Sequence, residues 1–453
     1  MADQAAQSCR ARCDDLQQGR GAASQPADIE LTLQIANWQL IAGAFGAGAC
    51  MHARAHLISL ICELAAAQGL TDFDVGRIFA AGDSLSLRLP GRMRAGSECQ
   101  DDLLSELPVA LCFAAALRPY TYLGHSIHIA LSPHPVRAWR VVSESGSGAV
   151  ATAHDAAAPH LCGIAAGGAG LPDDPDARRC RSDMAEASKL LGMVAADQLV
   201  LAWQAVCATS DMWEVLYYEG LLRAAGQGAG NSAPTVAIRA LERMDLVRIL
   251  DVHVVGKVLD QLEADPSIVL AANISARSAT LDHWWLEIGR RLGARRDLAR
   301  RLVIEITETA EISASRATAF ADRLRSLGCR IALDDFGVGF ASVRRLLTLS
   351  PDIVKIHSLF VRRASLSERD GQVLAHIIGL ARAIAPLVVV EGIETDDQCK
   401  LAESAGSAWF QGNHGGPPPM VRSWVSQPES HKVRALLRFR DAAVAGSAGR
   451  AVL

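Results

Sequence analysis

The stretch that decides the fold is Ile331-Ala332-Leu333-Asp334-Asp335-Phe336-Gly337-Val338-Gly339-Phe340. Three apolar residues lead directly into two adjacent carboxylates, and a Gly-x-Gly turn follows. A short apolar run bounded by a turn predicts a buried strand, and strands buried on both faces are typical of parallel sheets covered by helices. Neighbouring carboxylates at the end of such a strand repel each other unless a cation lies between them. The same residues also suit a plain solvent-exposed turn, so this stretch alone leaves both interpretations open.

Other strand-like runs in the same half of the chain end in a similar way, and helical patterns separate most of them. Eight strands within about 230 residues, interleaved with helices, predict an α/β fold of the (β/α)8 barrel type, which typically takes about 250 residues. The eight predicted strands are residues 199–206, 214–223, 268–275, 302–307, 330–333, 352–356, 387–390 and 408–410.

Polar side chains stand at the carboxyl ends of these predicted strands. In a barrel of this type such side chains converge on one mouth, where activity resides. Carboxylate and amide oxygens suit Mg²⁺ or Mn²⁺ rather than zinc. One lysine among them supplies a positive charge that orients a water molecule or holds a phosphate oxygen. The residues are Glu219, Asn273, Glu305, Glu308, Asp334, Asp335, Lys355, Glu391, Glu394 and Gln411.

The composition bounds the remaining possibilities. The chain has 453 residues, half of them hydrophobic, which indicates two or three globular domains. A net charge of -4 gives no basic surface for duplex nucleic acid. Eleven dispersed cysteines without a CxxC pair predict reduced thiols in a cytoplasmic protein. The uncharged run 31–51 predicts a strand and the start of a buried helix rather than a membrane insertion.

The predicted domain organisation has five parts. Residues 1–28 are polar and predicted to be disordered, and residues 29–140 carry the strand and helix patterns of a smaller α/β domain. Residues 141–183 are rich in Ser, Gly, Ala and Pro, which indicates a linker. The barrel then takes residues 184–428, and a C-terminal helix and tail take residues 429–453.

The barrel half strongly resembles the EAL-domain phosphodiesterases, which hydrolyse cyclic di-GMP. Residues 201–204 match the first strand of that family, and the other matching segments follow in order. They are Tyr218-Glu219-Gly220-Leu221-Leu222-Arg223, Asn273-Ile274-Ser275, Glu305-Ile306-Thr307-Glu308, the segment 334–342, Lys355-Ile356, Glu391-Gly392-Ile393-Glu394-Thr395 and Gln411-Gly412.

The resemblance implies a role for each matching residue. The implied metal ligands are Glu219, Asn273, Glu305, Asp334, Asp335 and Glu391, with Asp334 serving a second metal or a bridging water. The implied catalytic residues are Glu391 as ligand or general base, Lys355 as the group that orients the attacking water, and Asp335. The implied substrate-binding residues are Arg223, Leu222 and Gln411, and the residues implied to position loops are Glu308 and Glu394. The last two also suit a purely structural role at loop backbones or helix starts.

The same resemblance implies the chemistry and the partners. Two Mg²⁺ or Mn²⁺ ions would assist in-line attack of water on one phosphodiester of cyclic di-GMP, and the product would be linear pGpG. The family also implies a homodimer formed through the barrel.

Four positions depart from the family pattern. Gly220 replaces the signature Ala, Ala224 a Trp, His357 an Asp and Asn413 an aromatic residue. These departures keep a second hypothesis open, in which the barrel binds cyclic di-GMP without hydrolysing it and signals through protein contacts. A third hypothesis, a protein scaffold that binds no nucleotide, leaves the set of metal-type residues unexplained.

The front domain faintly resembles a GGDEF (diguanylate cyclase) domain. Ala81-Gly82-Asp83-Ser84-Leu85 stands where that family has its hairpin motif, with Ser84 in place of the hairpin Glu. The early strand ends at Asn37 without the usual metal-binding Asp. Because a hydroxyl and an amide do not replace two anionic ligands of Mg²⁺, the resemblance implies a cyclase-like fold without cyclase activity. An unrelated α/β domain also fits the pattern.

Overall fold

The computed structural model describes residues 28–67, 78–89, 98–133, 139–142, 171–224, 233–307, 313–338 and 343–419. The chain divides into two compact units. The first unit takes the described residues within 1–35, 54–111 and 131–166, and the second takes those within 36–53, 112–130 and 167–453. This division differs from the predicted boundaries, because two segments of the predicted front domain group with the barrel.

The first unit is built on an antiparallel sheet around strand β1 (Asp28–Ile35). Leu31, Leu33 and Ile35 alternate with exposed or half-buried residues and are buried, as the period of a half-buried strand requires. β1 pairs with β3 (Ser84–Leu89), and β3 pairs with β2 (Ile78–Ala81) across the predicted Gly82-Asp83 turn. The short strands β6 (Leu131–Pro133) and β7 (Trp139–Val142) pair with the two ends of β1.

Two long helices follow β1 and β3 along the chain. Helix α1 (Trp38–Ala67) contains a non-helical position at Gly46, and helix α2 is Glu98–Leu117. The start of α1 lies in the uncharged run 31–51, for which a strand and the start of a buried helix were predicted. The strands β4 (Tyr120–Tyr122) and β5 (His125–Ile127) form a hairpin, and β6 is separate from it.

Helix α3 (Pro175–Ala195) precedes the barrel. Its N-cap is Asp174, whose side chain accepts the Ala177 N–H at 2.9 Å, and Pro175 occupies the first helical position. The predicted linker therefore ends at about residue 174 rather than 183. The predicted N-terminal segment, most of the predicted linker and the predicted C-terminal helix lie outside the described residues.

The second unit contains a closed eight-stranded barrel, which confirms the predicted fold class. The strands are β8 (Leu199–Ala208), β9 (Val215–Ala224), β10 (Leu270–Ile274), β11 (Leu302–Ile306), β12 (Arg330–Phe336), β13 (Ile353–Ile356), β14 (Leu387–Glu391) and β15 (Trp409–Gln411). β9 to β15 run parallel, whereas β8 is antiparallel to both of its neighbours, β9 and β15. A short connection between β8 and β9 reverses the chain direction, so the barrel has one inverted strand.

Helices connect the parallel strands and cover them. They are α4 (Thr235–Arg243) and α5 (Val247–Ala264) before β10, α6 (Leu286–Ala294) and α7 (Arg296–Ala299) before β11, α8 (Ala314–Leu327) before β12, α9 (Val343–Leu349) before β13, α10 (Ser358–Ala364) and α11 (Glu368–Arg382) before β14, and α12 (Asp396–Ser404) before β15.

The barrel interior is packed by residues two positions before the polar strand ends. Tyr217 and Trp409 are the large side chains of this apolar cluster, and Ala271 and Ala332 are small ones. Large and small side chains on different strands fill the space together. Because side chains alternate along a strand, the next inward-facing position on each strand lies at the mouth of the barrel.

None of the seven cysteines whose side chains the structure describes forms a disulfide, and five of them are buried. Among the described helices, none is both long enough and apolar enough to span a bilayer.

Candidate active site

The centre of the barrel mouth is Lys355 at the end of β13, which is only 1% exposed. Its Nζ lies 2.8 Å from Glu219 Oε2 and 2.7 Å from Glu305 Oε2. It also lies 3.1 Å from Asp334 Oδ1 and 2.9 Å from Glu391 Oε1. Side chains from β9, β11, β12, β13 and β14 therefore meet around one ammonium group. The sequence predicted this convergence from the strand ends alone.

The charges of this group are unbalanced. Burial opposes the charged form of Lys355, but the surrounding carboxylates outweigh burial and hold the pKa of the lysine well above its ordinary value. Burial raises the pKa of Glu305 to about 8, with Glu219 adding to the shift and Lys355 opposing it. Burial also raises the pKa of Glu391 well above its ordinary value, again against the attraction of Lys355. One cation thus faces more carboxylates than it can neutralise, which is the situation that a divalent cation relieves.

Glu219 is the most fully hydrogen-bonded of the carboxylates. Besides Lys355, it accepts hydrogen bonds from Asn273 Nδ2 at Oε1 and from Gln411 Nε2 at Oε2, the latter at 2.6 Å. Gln411 Nε2 also lies 3.2 Å from Gln204 Oε1 on the inverted strand β8. These donors and Lys355 overcome the opposing effect of burial and lower the pKa of Glu219. Glu219 therefore keeps its charge more readily than Glu305 and Glu391, whose pKa values burial raises.

Asp334, Asp335 and Glu391 form a second, more open group. Each offers one oxygen, and these oxygens lie within 4.8 Å of one another. Asp335 has a left-handed backbone with φ +56°, beside an irregularity in the pairing of β12 with β13. This backbone lets two consecutive residues of one strand contribute to the same mouth, although regular alternation would place them on opposite faces.

The chemistry of the donor set fits a hard divalent cation. All ligand atoms are carboxylate or amide oxygens, the set that Mg²⁺, Mn²⁺ and Ca²⁺ prefer. Asn273 Oδ1 is buried and has no hydrogen-bond partner among the described residues. A buried oxygen without a partner is costly unless something else binds it, so this atom suits a ligand position.

Comparison with known protein families agrees with this geometry. The EAL domain family matches residues 187–418, just over half of the chain and the whole described barrel. The chain belongs to the EAL domain family. The matched region begins within α3 and includes every polar strand end described above.

Named relatives of this EAL domain include two proteins of Escherichia coli strain K12. Cyclic di-GMP phosphodiesterase PdeF is 30% identical over 212 residues, which are 46% of this chain and 28% of PdeF. Cyclic di-GMP phosphodiesterase PdeL is 36% identical over 128 residues, which are 28% of this chain and 35% of PdeL. The chain thus spans about a third or less of the length of these curated relatives.

One solved structure is similar over most of the chain. It is the Vibrio cholerae protein described as LapD S helix-GGDEF-EAL in its apo form. It aligns with a TM-score of 0.47 and 17% identity, over 87% of this chain and 90% of that one.

His357 is a departure from the family pattern that lies beside Asp335. It is the N-cap of α10, and its Nδ1 accepts the Leu359 N–H at 3.0 Å. This bond requires an unprotonated Nδ1, so the neutral ring carries its proton on Nε2. His357 Nε2 lies 3.8 Å from Asp335 Oδ1. The imidazole therefore caps α10 and lies at the edge of the group formed by Asp334, Asp335 and Glu391.

Gly220, in place of the signature Ala, lies in a crowded position. A Cβ atom there would lie 3.1 Å from the Trp203 ring and 3.2 Å from the Ala271 carbonyl oxygen. The glycine therefore lets β8 and β10 approach β9 closely in this EAL domain. A substitution by Ala would require Trp203 to move by a few tenths of an ångström.

The predicted substrate-binding and loop residues lie at different depths. Arg223 and Leu222 are half-buried near the end of β9, and Arg223 Nη1 donates to the Leu222 carbonyl at 2.9 Å. Gln411 is buried and engaged with Glu219, so the structure places it deep in the mouth rather than at the predicted rim. Glu394 is exposed, and its backbone N–H donates to Gln398. Glu308 and residues 339–342 lie outside the described residues.

Gln204 is a site residue that sequence reasoning missed. It lies inside the segment 201–204, which was matched only as a first strand. β8 runs antiparallel to β9, so its last residues lie away from the mouth. Gln204, which comes earlier in β8, therefore lies opposite Glu219 at the mouth. Gln204 pairs with Glu219 across the β8–β9 hairpin. Aligning the two strands of this hairpin in the sequence would have placed Gln204 beside Glu219.

Proposed function

We propose that this protein hydrolyses cyclic di-GMP to linear pGpG with two divalent cations, Mg²⁺ or Mn²⁺. The observation that carries the proposal is the set of four carboxylates within 3.1 Å of the buried Lys355 Nζ. Burying so many carboxylates together is costly for folding. A phosphodiesterase site explains the arrangement, because the carboxylates would bind its cations. The named relatives add support, because they are cyclic di-GMP phosphodiesterases.

The proposed ligands are divided between two cations. Glu219, Asn273, Glu305 and Asp335 would hold one cation, and Asp334 with Glu391 would hold the second. When bound, the cations would neutralise the carboxylates, polarise the phosphodiester and lower the pKa of the attacking water.

Two residues of the chain would handle the attacking water. Lys355 Nζ donates to the surrounding carboxylates, and its positive charge would orient the water. Glu391 Oε1 faces Lys355 at 2.9 Å, which leaves Oε2 to accept the proton of the water. The raised pKa of Glu391, caused by burial, suits a general base. Arg223 and Leu222 would contact the nucleotide, and Gln411 would act through Glu219.

A receptor that binds cyclic di-GMP without hydrolysing it is the second candidate. The observation that favours it is His357, because a neutral imidazole stands where the family has an anionic side chain. Loss of one anion weakens a hard cation site, while the rest of the barrel would still bind the nucleotide.

The front domain, the assembly and the compartment are part of the proposal. Asn37 supports an inactive cyclase-like domain, because its amide donates to the His128 carbonyl and accepts the Ala130 N–H, both at 3.0 Å. The amide thus serves backbone packing. We also propose a homodimer through the barrel and a cytoplasmic location, the latter supported by the free and mostly buried cysteines.

Incubation of the purified full-length protein with cyclic di-GMP and Mg²⁺ or Mn²⁺ tests the proposal, with chromatography to resolve the linear product. We expect pGpG from the wild type and at least a hundredfold less from Glu391→Gln, which has nearly the same shape but no general base. A matched control is Glu403→Gln, an exposed glutamate of α12 outside the proposed site.

Three outcomes separate the candidates. Product from the wild type and not from Glu391→Gln supports the phosphodiesterase. No product, together with binding in a calorimetric titration, supports the receptor. Equal product from wild type and Glu391→Gln contradicts the assigned chemistry.

A further inference from the structure

We propose that Glu242 and Asp251 are positioning residues that fix Asn273 at the barrel mouth by holding Ser275. The inference rests on the proposed function, because Asn273 acts there as a cation ligand. Glu242 and Asp251 lie on helices α4 and α5, outside the barrel and outside the set of polar strand ends.

The two carboxylates bind the same serine. Ser275 directly follows β10, and its backbone N–H donates to Asp251 Oδ2 at 2.9 Å. Its hydroxyl donates to Glu242 Oε1 at 2.6 Å. Ser275, Glu242 and Asp251 are all buried. The two donors of Ser275, its backbone N–H and its hydroxyl, are thus held by carboxyl oxygens from two consecutive helices.

Stability alone is a poor explanation for this arrangement. Burying a carboxylate is costly, and two carboxylates near one residue repel each other. Apolar side chains of similar volume often replace buried charged groups without loss of stability. The hydrogen bonds at 2.9 and 2.6 Å are, however, directional, so the pair fixes the location of Ser275 closely.

The position of Ser275 is transmitted to Asn273 through one intervening residue. The Ile274 carbonyl accepts the Thr307 N–H at 3.1 Å, which holds the backbone between them. The Asn273 side chain donates to Glu219 by Nδ2 and leaves Oδ1 unpartnered within the described structure. The direction of Oδ1 therefore depends on the backbone of residues 273–275. Metal–ligand distances tolerate only about 0.2 Å of displacement, so a shift of that backbone would weaken cation binding.

Helix α4 is itself held at the end that carries Glu242. The neighbouring Arg243 forms two hydrogen bonds with Asp183 of α3, both at 2.6 Å. This bidentate pair limits movement of the last turn of α4. The chain of contacts from Asp183 through Glu242 to Ser275 forms a rigid support behind the ligand.

Cation affinity of the full-length protein is the direct test, measured by titration of Mn²⁺ with electron paramagnetic resonance of the free ion. The disruptive variants are Ser275→Ala, which removes the hydroxyl, and Asp251→Leu, which removes the acceptor of the N–H. The conservative variants Asp251→Asn and Glu242→Gln keep an acceptor oxygen. Ser407→Ala is the matched control, because Ser407 is a buried serine whose hydroxyl donates to two carbonyls at the opposite end of β15.

We expect Mn²⁺ binding at least tenfold weaker in Ser275→Ala and Asp251→Leu, since loss of an outer hydrogen bond to a ligand typically costs 10- to 100-fold. The Mn²⁺ affinities of Asp251→Asn and Glu242→Gln should stay within about threefold of the wild-type affinity, because each variant keeps an acceptor oxygen. Ser407→Ala should bind Mn²⁺ like the wild type even if its melting temperature falls.

Unchanged Mn²⁺ affinity in Ser275→Ala would overturn the positioning role while the wild type still hydrolysed cyclic di-GMP. Equal weakening in Ser407→Ala would also overturn it, because the effect would then be one of general stability. If Asp251→Leu does not fold, Ser275→Ala decides alone. Failure of the wild type to bind Mn²⁺ would contradict the proposed function and the inference together.

Discussion

Lys355 stays charged inside the barrel because four carboxylate oxygens lie between 2.7 and 3.1 Å from its Nζ. The lysine and the carboxylates depend on one another. Without the lysine, the four carboxylates lose the ammonium group that contacts all of them. Without the carboxylates, the lysine would be an uncompensated buried charge.

Substitution Lys355→Met should therefore destabilise the metal-free protein by about 3 to 5 kcal/mol, the cost of removing one partner of a buried ion pair. Added Mn²⁺ should restore part of this free energy, because a divalent cation replaces the lost charge. Urea denaturation with chelator and with Mn²⁺ measures both effects. Lys189→Met is the control, since Lys189 pairs with Glu186 but is 70% exposed, and we expect less than about 1 kcal/mol. Equal losses in both variants would contradict the role of Lys355.

Asp251 makes stability depend on pH. Burial raises its pKa to about 7, and Glu242 adds to the shift. The folded protein thus holds this proton more tightly than the unfolded chain, so the stabilisation is complete below pH 4 and is lost as pH rises through 7. Relative to Asp251→Asn, the wild type should lose about 2 to 3 kcal/mol between pH 5 and pH 8. Denaturation at these pH values measures the difference, and a constant difference would refute the shift.

At the scale of elements, the strands were predictable because each is a short apolar run that ends at a polar residue. The observed ends of β9 to β15 lie within three residues of the predicted ends. The direction of β8 was not predictable, because the sequence of an apolar run does not show whether its strand is parallel or antiparallel to its neighbours. The start of α3 was missed because Asp174-Pro175 resembled a loop.

Gly412 directly follows β15 and packs against the loop that follows β14. A Cβ atom there would lie 2.1 Å from the Ile393 carbonyl oxygen, and the Gln411 carbonyl accepts the Ile393 N–H at 3.1 Å. Gly412→Ala should therefore cost about 3 kcal/mol through a backbone clash. Gly379→Ala is the matched control in α11, where a Cβ atom meets nothing within 4 Å, and should stabilise by about 0.5 to 1 kcal/mol. Thermal unfolding of both variants checks the contrast, which a tolerated Gly412→Ala would contradict.

The cap of α10 gives a second prediction at this scale. His357→Ala removes the acceptor of the Leu359 N–H and should cost about 1 kcal/mol. His357→Asp keeps an acceptor and adds a carboxylate beside Asp335, so we expect wild-type stability in Mn²⁺ and stronger cation binding. His376→Ala, at an exposed position within α11, is the control. Unfolding in urea with Mn²⁺ present measures the cap, and a loss in His357→Asp equal to that in His357→Ala would exclude it.

At the scale of the whole molecule, the sequence indicated two folded regions but not how the chain divides between them. Segments 36–53 and 112–130 group with the barrel although they come from the predicted front domain. Asn37 links these two segments to each other, since its amide is paired with backbone groups at residues 128 and 130, and the Phe113 ring lies 4.7 Å from the ring of Trp284 before α6. Such long-range hydrogen bonds leave no local pattern in the sequence.

The central claim is that cations and cyclic di-GMP bind where the carboxyl ends of the barrel strands meet. Crystals of the full-length protein with Mn²⁺ and cyclic di-GMP, measured by anomalous scattering, test it most directly. We expect manganese peaks about 2.1 to 2.3 Å from oxygens of Glu219, Asn273 and Asp335, with a phosphodiester of the nucleotide beside them. Nucleotide and manganese bound elsewhere, or no manganese in the mouth at saturating concentration, would contradict the claim.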